Sequence, residues 1–371
     1  MIKHIQVYQG SGNSAPYELE LVYHRSVWLV LIFAATLLAA FQKYPMILAV
    51  LVTLLASEYI SLKMYSRVIG HEFRPVPSTL QGRYAPHPLL EAVLSPGIYG
   101  PVTHTAEGHR ATVNLNKAPN AKLVFVYGAS TTYDNGVADN LTWSSALSDI
   151  LGHDYVVENH GVPGYSTVQH IIQVLFDFRS SPPVCAVFYV GGTDLQESNV
   201  TDLKPDYSDF LLVKLRNMAT VHFLIQRRWA LLSLLSELDH RTFVPPGRVS
   251  RIYDQRLSRI YRQNTKLIAI ITQSFGVKPI FVPEIWNDRR LTADSPTVLL
   301  PYINDSDVMK ISKQMDADLE AAANETNSVY LAEPLRADWE NADFLDYAHF
   351  SAKGSRKLAS SIAPRIAAEC K

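Results

Sequence analysis

Residues 122–131 read Lys-Leu-Val-Phe-Val-Tyr-Gly-Ala-Ser-Thr, an apolar run that stops at a turn of small residues. A run this short, rich in β-branched and aromatic residues and closed by glycine, predicts a strand buried on both faces. Similar runs recur downstream at Tyr155-Val156-Val157-Glu158-Asn159, Val184 to Val190, Pro279-Ile280-Phe281-Val282 and Ser328-Val329-Tyr330-Leu331, each ending near turn residues. Helical patterns fill the gaps, notably Arg251 to Phe275, Asp305 to Asn324 and Ser351 to Ala368. Strand–helix alternation predicts an α/β domain with a parallel sheet covered on both faces. Such sheets hold their active sites beyond the carboxyl ends of the strands.

Four segments fall at those strand ends. Gly128-Ala129-Ser130-Thr131 puts a serine hydroxyl at a strand tip beside a helix start, although a helix cap would use the same residues. Asn159-His160-Gly161-Val162-Pro163-Gly164-Tyr165-Ser166-Thr167 follows the second strand, and its glycines let backbone N–H groups approach a substrate. Gly191-Gly192-Thr193-Asp194 follows the third strand. Asp346-Tyr347-Ala348-His349-Phe350-Ser351 precedes the last helix, and an Asp three residues before a His can turn to orient the imidazole and stabilise its cation.

In this order and at these positions the four segments resemble the SGNH (GDSL-type) hydrolase family, over about Lys122 to the C-terminus. The resemblance implies a flavodoxin-like three-layer α/β/α domain of the kind that carries esterases, lipases, thioesterases and carbohydrate deacetylases. It implies Ser130 as nucleophile, His349 as general base and Asp346 as the acid that orients it. Gly164 would be the oxyanion-hole backbone donor, the N–H of Ser130 a second, and Thr193 falls where the family has its side-chain donor asparagine. The sequence departs from the pattern twice, with Ala129 in place of the aspartate of Gly-Asp-Ser and Thr193 in place of the asparagine. The implied function is a membrane-anchored serine ester hydrolase acting on O-acyl (acetyl) esters of a glycan or lipid. An acyltransferase with the same triad and a non-catalytic binding or scaffold protein of the same fold are the alternatives. No cofactor and no metal is expected. A flavodoxin-type redox role lacks a phosphate-cradling loop after the first strand. His104, His109, His160 and His170 lack ligand spacing and read as structural or exposed, and Tyr165 and Trp286 read as packing residues, with pocket lining as the alternative.

The N-terminal segment 1–70 has a different texture. Ser26 to Phe41 carries no charge, and after Gln42-Lys43-Tyr44-Pro45 a second apolar run extends from Met46 to Ser57. With flanking residues, each run approaches the ~20 residues that span a bilayer. A transmembrane helical hairpin at about 26–41 and 44–62 is expected, making a multi-pass membrane protein; a single kinked helix or a buried hairpin is the alternative. A cleaved signal peptide is not expected, because the apolar run starts late and no small-residue cleavage site follows it. Arg25, Lys63 and Arg67 outnumber Lys43, which favours a cytoplasmic hydrolase domain. The family resemblance points outward, so the side stays open. Residues 71–120, rich in Pro, Gly and His, read as an irregular connector, and 121–371 as the hydrolase-like domain. Asp209 to Leu238, with Lys214, Arg216, Arg227 and Arg228, reads as an amphipathic helix, a surface resting on lipid headgroups being the alternative.

Composition narrows the classes further. The 371 residues are 47% hydrophobic and 19% charged, which excludes a disordered chain. Thirty-four Lys and Arg against 35 Asp and Glu give a net charge of −1, without the overall basic character of a nucleic-acid binder. The two cysteines, Cys185 and Cys370, are too few for a disulfide framework or a four-thiolate zinc site. Cys185, inside an apolar run, reads as a small buried hydrophobe, which leaves the compartment open. The sequence leaves the ester and the oligomeric state open as well.

Overall fold

The computed structural model describes residues 3–7, 17–21, 44–69, 83–179, 181–209, 229–232, 234–235, 245–296 and 300–371. They fall into two compact units.

The first unit holds an antiparallel hairpin, β1 (Lys3–Val7) and β2 (Tyr17–Leu21), and one long helix, α1 (Pro45–Ile69). Proline suits the first helical position, where its missing N–H costs nothing. The stretch Pro45–Tyr65, 21 residues, is long and apolar enough to cross a membrane. At 1.5 Å per residue it spans roughly 30 Å, the thickness of a bilayer core. Its large apolar side chains, including Met46, Val50, Leu54 and Leu55, are exposed rather than packed into a protein core. Glu58 accepts the backbone N–H groups of Ala230 (2.6 Å) and Leu231 (2.9 Å), and Leu234 packs on Tyr65 and Val68. The helix corresponds to the second arm of the expected hairpin. The first arm at 26–41, residues 71–82 and most of Asp209 to Leu238 lie outside the described residues.

The second unit begins with two small hairpins, β3 (Tyr84–His87) with β4 (Glu91–Leu94) and β5 (Gly97–Tyr99) with β6 (Val102–His104). The sequence read this stretch as irregular, because strands of three or four residues are too short to display an alternating pattern. Leu90, Leu94 and Val102 of this layer pack with Tyr133, Val162 and Tyr165. His104 joins Ser95 O to the Tyr133 hydroxyl, both at 2.8 Å, and burial lowers its pKa to about 4.

The core of the unit is a five-stranded sheet of β7 (Lys122–Gly128), β8 (Tyr155–Asn159), β9 (Cys185–Val190), β10 (Lys278–Pro283) and β11 (Val329–Tyr330). The strand order is β11-β10-β9-β7-β8 and every pairing is parallel. Helices α2 (Ser130–Tyr133), α3 (Trp143–Leu151), α4 (Thr167–Asp177), α5 (Gln255–Ser274), α6 (Asp305–Glu325) and α7 (Ala352–Glu369) connect and follow the strands. Alternate strand residues feed two apolar layers. Phe125, Tyr127, Phe188 and Phe281 meet Val174 of α4, Leu257 and Ile268 of α5 and Ile311 and Leu319 of α6. Val124, Val126, Val187 and Val282 meet Trp143 and Leu147 of α3 and Leu358, Ile362 and Ile366 of α7. Each fully buried side chain of this size contributes about 1.5–3 kcal/mol, so the expected three-layer α/β/α architecture rests on both faces being filled.

One reading is corrected. Cys185 is not a free buried thiol: it is bonded to Cys370, with Cα atoms 5.6 Å apart. Cys370 caps the end of α7, the helix that packs on the same sheet face as Cys185. The pairing depends on that packing, which spacing in the sequence does not reveal.

Candidate active site

β7 ends at Gly128, where a Cβ would collide with the Thr132 hydroxyl and the Tyr189 carbonyl, so the turn into α2 lies tight against β9. Asp134 closes α2 in a left-handed conformation (φ +64°). Its Oδ2 accepts the backbone N–H of Trp143 and the Ser355 hydroxyl, both at 2.7 Å, while Trp143 Nε1 donates to Thr131 O at 3.1 Å. Burial raises the Asp134 carboxyl to about 7. Ser130 therefore sits on a turn fixed to α3 and α7.

The loop between β11 and α7 brings His349 to that turn. His349 Nε2 lies 2.8 Å from Ser130 Oγ, and Nδ1 lies 2.7 Å from Asp346 Oδ2. The other oxygen of Asp346 accepts the backbone N–H groups of Ala348 and His349, each at 2.8 Å. Asp346 thus shapes the loop with one oxygen and orients the imidazole with the other. Burial acts to lower the His349 pKa, but the hydrogen bond and charge of Asp346, with Glu284 and Asp134 adding, outweigh it and raise the pKa above the usual histidine value. Asp346 shifts the opposite way: burial pushes it up, and His349 more than offsets this to hold it below the usual range.

Gly164 lies in the turn from β8 to α4 with φ +86°, a left-handed conformation that favours glycine, and the space where its Cβ would stand is open. The turn is tied to the serine turn: Val162 N–H donates to Gly128 O (3.0 Å) and Asn159 Nδ2 to Thr132 O (2.8 Å). Thr193 follows β9 and begins a single turn of 3₁₀ helix, Asp194–Glu197. It is 8% exposed, and its hydroxyl makes no hydrogen bond among the described residues. Asp194 receives the Thr167 hydroxyl at 2.5 Å, linking this turn to α4.

The structure adds a residue that the sequence reading missed. Glu284, at the end of β10, is buried; its Oε1 accepts the Thr131 hydroxyl (2.8 Å) and its Oε2 the Gly192 N–H (2.6 Å). One carboxylate thus clamps the residue after Ser130 to the residue before Thr193. Burial raises its pKa, against the pull of those two hydrogen bonds. The available signal was a single acid closing the apolar run Pro279 to Pro283 at a carboxyl strand end. Beside Glu284 opens a cleft of about 420 Å³ lined by Trp286, Asp288, Lys313, Asp316 and Trp339. Trp286 stacks on Tyr347 (centroids 6.2 Å apart, planes 10°), whereas Tyr165 is a packing residue whose hydroxyl donates to Ala92 O at 2.6 Å.

No family model and no curated protein matches the chain. Solved structures similar to it include TesA, at 14% identity and TM-score 0.39, with 67% of this chain and 99% of that one covered. An acylhydrolase described as putative, from Bacteroides fragilis, aligns at 14% identity and TM-score 0.42, covering 70% of this chain and 92% of that one. A catalytic mutant of an acetylxylan esterase from Geobacillus stearothermophilus aligns at 12% identity and TM-score 0.40, covering 68% and 96%. Within the parallel β11-β10-β9-β7-β8 sheet, Ser130 stands directly after β7 and His349 before α7.

Proposed function

We propose that the chain is a membrane-anchored serine ester hydrolase acting on O-acyl esters, acetyl esters foremost, of a glycan or lipid. The observation that carries the reading is the 2.8 Å contact of Ser130 Oγ with His349 Nε2, the ring being held from behind by Asp346 at 2.7 Å. Ser130 attacks the ester carbonyl and its proton passes to His349. The oxyanion is stabilised by the N–H groups of Ser130 and Gly164, with the Thr193 hydroxyl as third donor. The intermediate collapses, the ester C–O bond breaks, and the departing alcohol takes the proton from His349. Water then attacks the acyl-serine with His349 as base, releasing the carboxylic acid and restoring Ser130. The exposed apolar length of α1 supports anchoring through Pro45–Tyr65.

The test is fluorophosphonate labelling together with a hydrolysis screen over acyl chain lengths and acetylated sugars. Ser130→Ala should abolish labelling and lower turnover by ~10⁴-fold or more, His349→Ala similarly, and Asp346→Asn less. Wild-type turnover in folded Ser130→Ala would overturn the assignment. Acyl transfer to added sugars outrunning hydrolysis would identify an acyltransferase, and absence of labelling in the folded wild type a binding protein.

A further inference from the structure

Away from the serine, the fold gathers two histidines and two carboxylates at the β8 edge of the sheet. His160 is 1% exposed, and its ring lies between Phe125 and His109, with centroids 4.1 and 3.8 Å away. Its Nδ1 is 2.8 Å from Asp177 Oδ2, which also accepts the Tyr127 hydroxyl at 3.0 Å. Its Nε2 is buried and makes no hydrogen bond; Glu158 Oε2 stands 3.4 Å from it and 4.0 Å from His109 Nδ1. Donor atoms of His109, His160 and Asp177 all lie within 4.8 Å of one another. In sequence these residues are scattered over the connector, β8 and α4, which is why no ligand spacing could be read.

We infer that this cluster binds one borderline divalent cation of the zinc class. His160 Nε2, His109 and Glu158 are its ligands, and Asp177 orients His160 from behind. A buried imidazole whose one nitrogen donates to a carboxylate while the other faces a second carboxylate at 3.4 Å has the form of a metal-ligating histidine with its supporting acid. Two imidazoles with a carboxylate select zinc-like ions over magnesium or calcium, which prefer oxygen donors. The side chains of His109 and Glu158 are 23% and 39% exposed, so they have access to solvent through which an ion and a water ligand can enter. The ion would tie the connector to the sheet edge, where Arg110 N–H already donates to Asn159 O at 3.1 Å. It would also brace the start of the Gly161–Gly164 turn.

The experiment is calorimetric titration of Zn²⁺ into the full chain in detergent, without a histidine tag and after chelator treatment, with the thermal midpoint as a second readout. One ion per chain and a raised midpoint are expected. His109→Ala, at a partly exposed position, should remove saturable binding and the midpoint rise, and Glu158→Gln should weaken both. Asp177→Asn should weaken binding by ~10–100-fold, the usual effect of losing a supporting partner. The exposed control His153→Ala should bind as the wild type does. Absence of saturable Zn²⁺ binding, or binding unchanged in His109→Ala, would overturn the site; neither result bears on Ser130 chemistry.

Discussion

At the residue scale, His349 is held between burial, which favours its neutral form, and Asp346, which favours the cation and prevails. A general base must be neutral to accept the Ser130 proton, so kcat/KM should rise with pH along an acid limb centred above 6.5. Asp346→Asn removes the raising influence, and the limb measured in a pH–rate profile should move to lower pH. Glu284 makes a second prediction. Glutamine can keep both links, its carbonyl accepting the Gly192 N–H and its amide donating to the Thr131 hydroxyl, so Glu284→Gln should fold and retain most activity. Glu284→Ala leaves the Gly192 N–H unpaired in a buried site, a cost of about 1–3 kcal/mol, and frees the two turns around Ser130. A lower melting temperature and a fall in kcat larger than any change in KM are expected. Ser130, Asp346 and His349 were legible because each stands in a short motif at a strand or loop end. Glu284 was not, because its partners come from two other strand ends and a single acid closing an apolar run is too common a pattern to mark it.

At the element scale, α7 follows His349 directly and fixes where the loop ends. Ser351 caps it, accepting the Gly354 N–H at 3.3 Å and donating to Ala342 O at 2.8 Å. Ser351→Ala should cost about 1 kcal/mol in chemical denaturation, the usual loss for an N-cap. Because the same residue closes the Asp346–His349 loop, kcat should fall with it. The strands of the sheet were legible from apolar runs bounded by turns, and Gln255–Ser274, Asp305–Glu325 and Ala352–Glu369 from their helical patterns. The hairpins at 84–104 were not, since their pairing is set by packing against Tyr133 and Tyr165 rather than by their own period.

At the scale of the whole molecule, the proposed anchoring by α1 makes a simple demand. The full-length protein should remain with membranes after a carbonate wash. Leu55→Arg, near the middle of Pro45–Tyr65, should release a measurable fraction, since an arginine at the centre of a span costs ~2.5–3.5 kcal/mol on insertion scales. Retention of the wild type only at low ionic strength would point to surface adsorption instead.

The bond between Cys185 and Cys370 bears on where such a molecule can mature. Cytosolic thiols are kept reduced, whereas disulfides form and persist in the periplasm, the secretory lumen or outside the cell. On the proposed reading, a hydrolase domain carrying this bond would belong on the oxidising side of a membrane, against the side favoured by the count of flanking cations. Its esters would then be met after export, on envelope or extracellular material. Protein isolated from its own membrane with thiols blocked should migrate faster on a non-reducing gel than on a reducing one, and Cys370→Ser should abolish the difference.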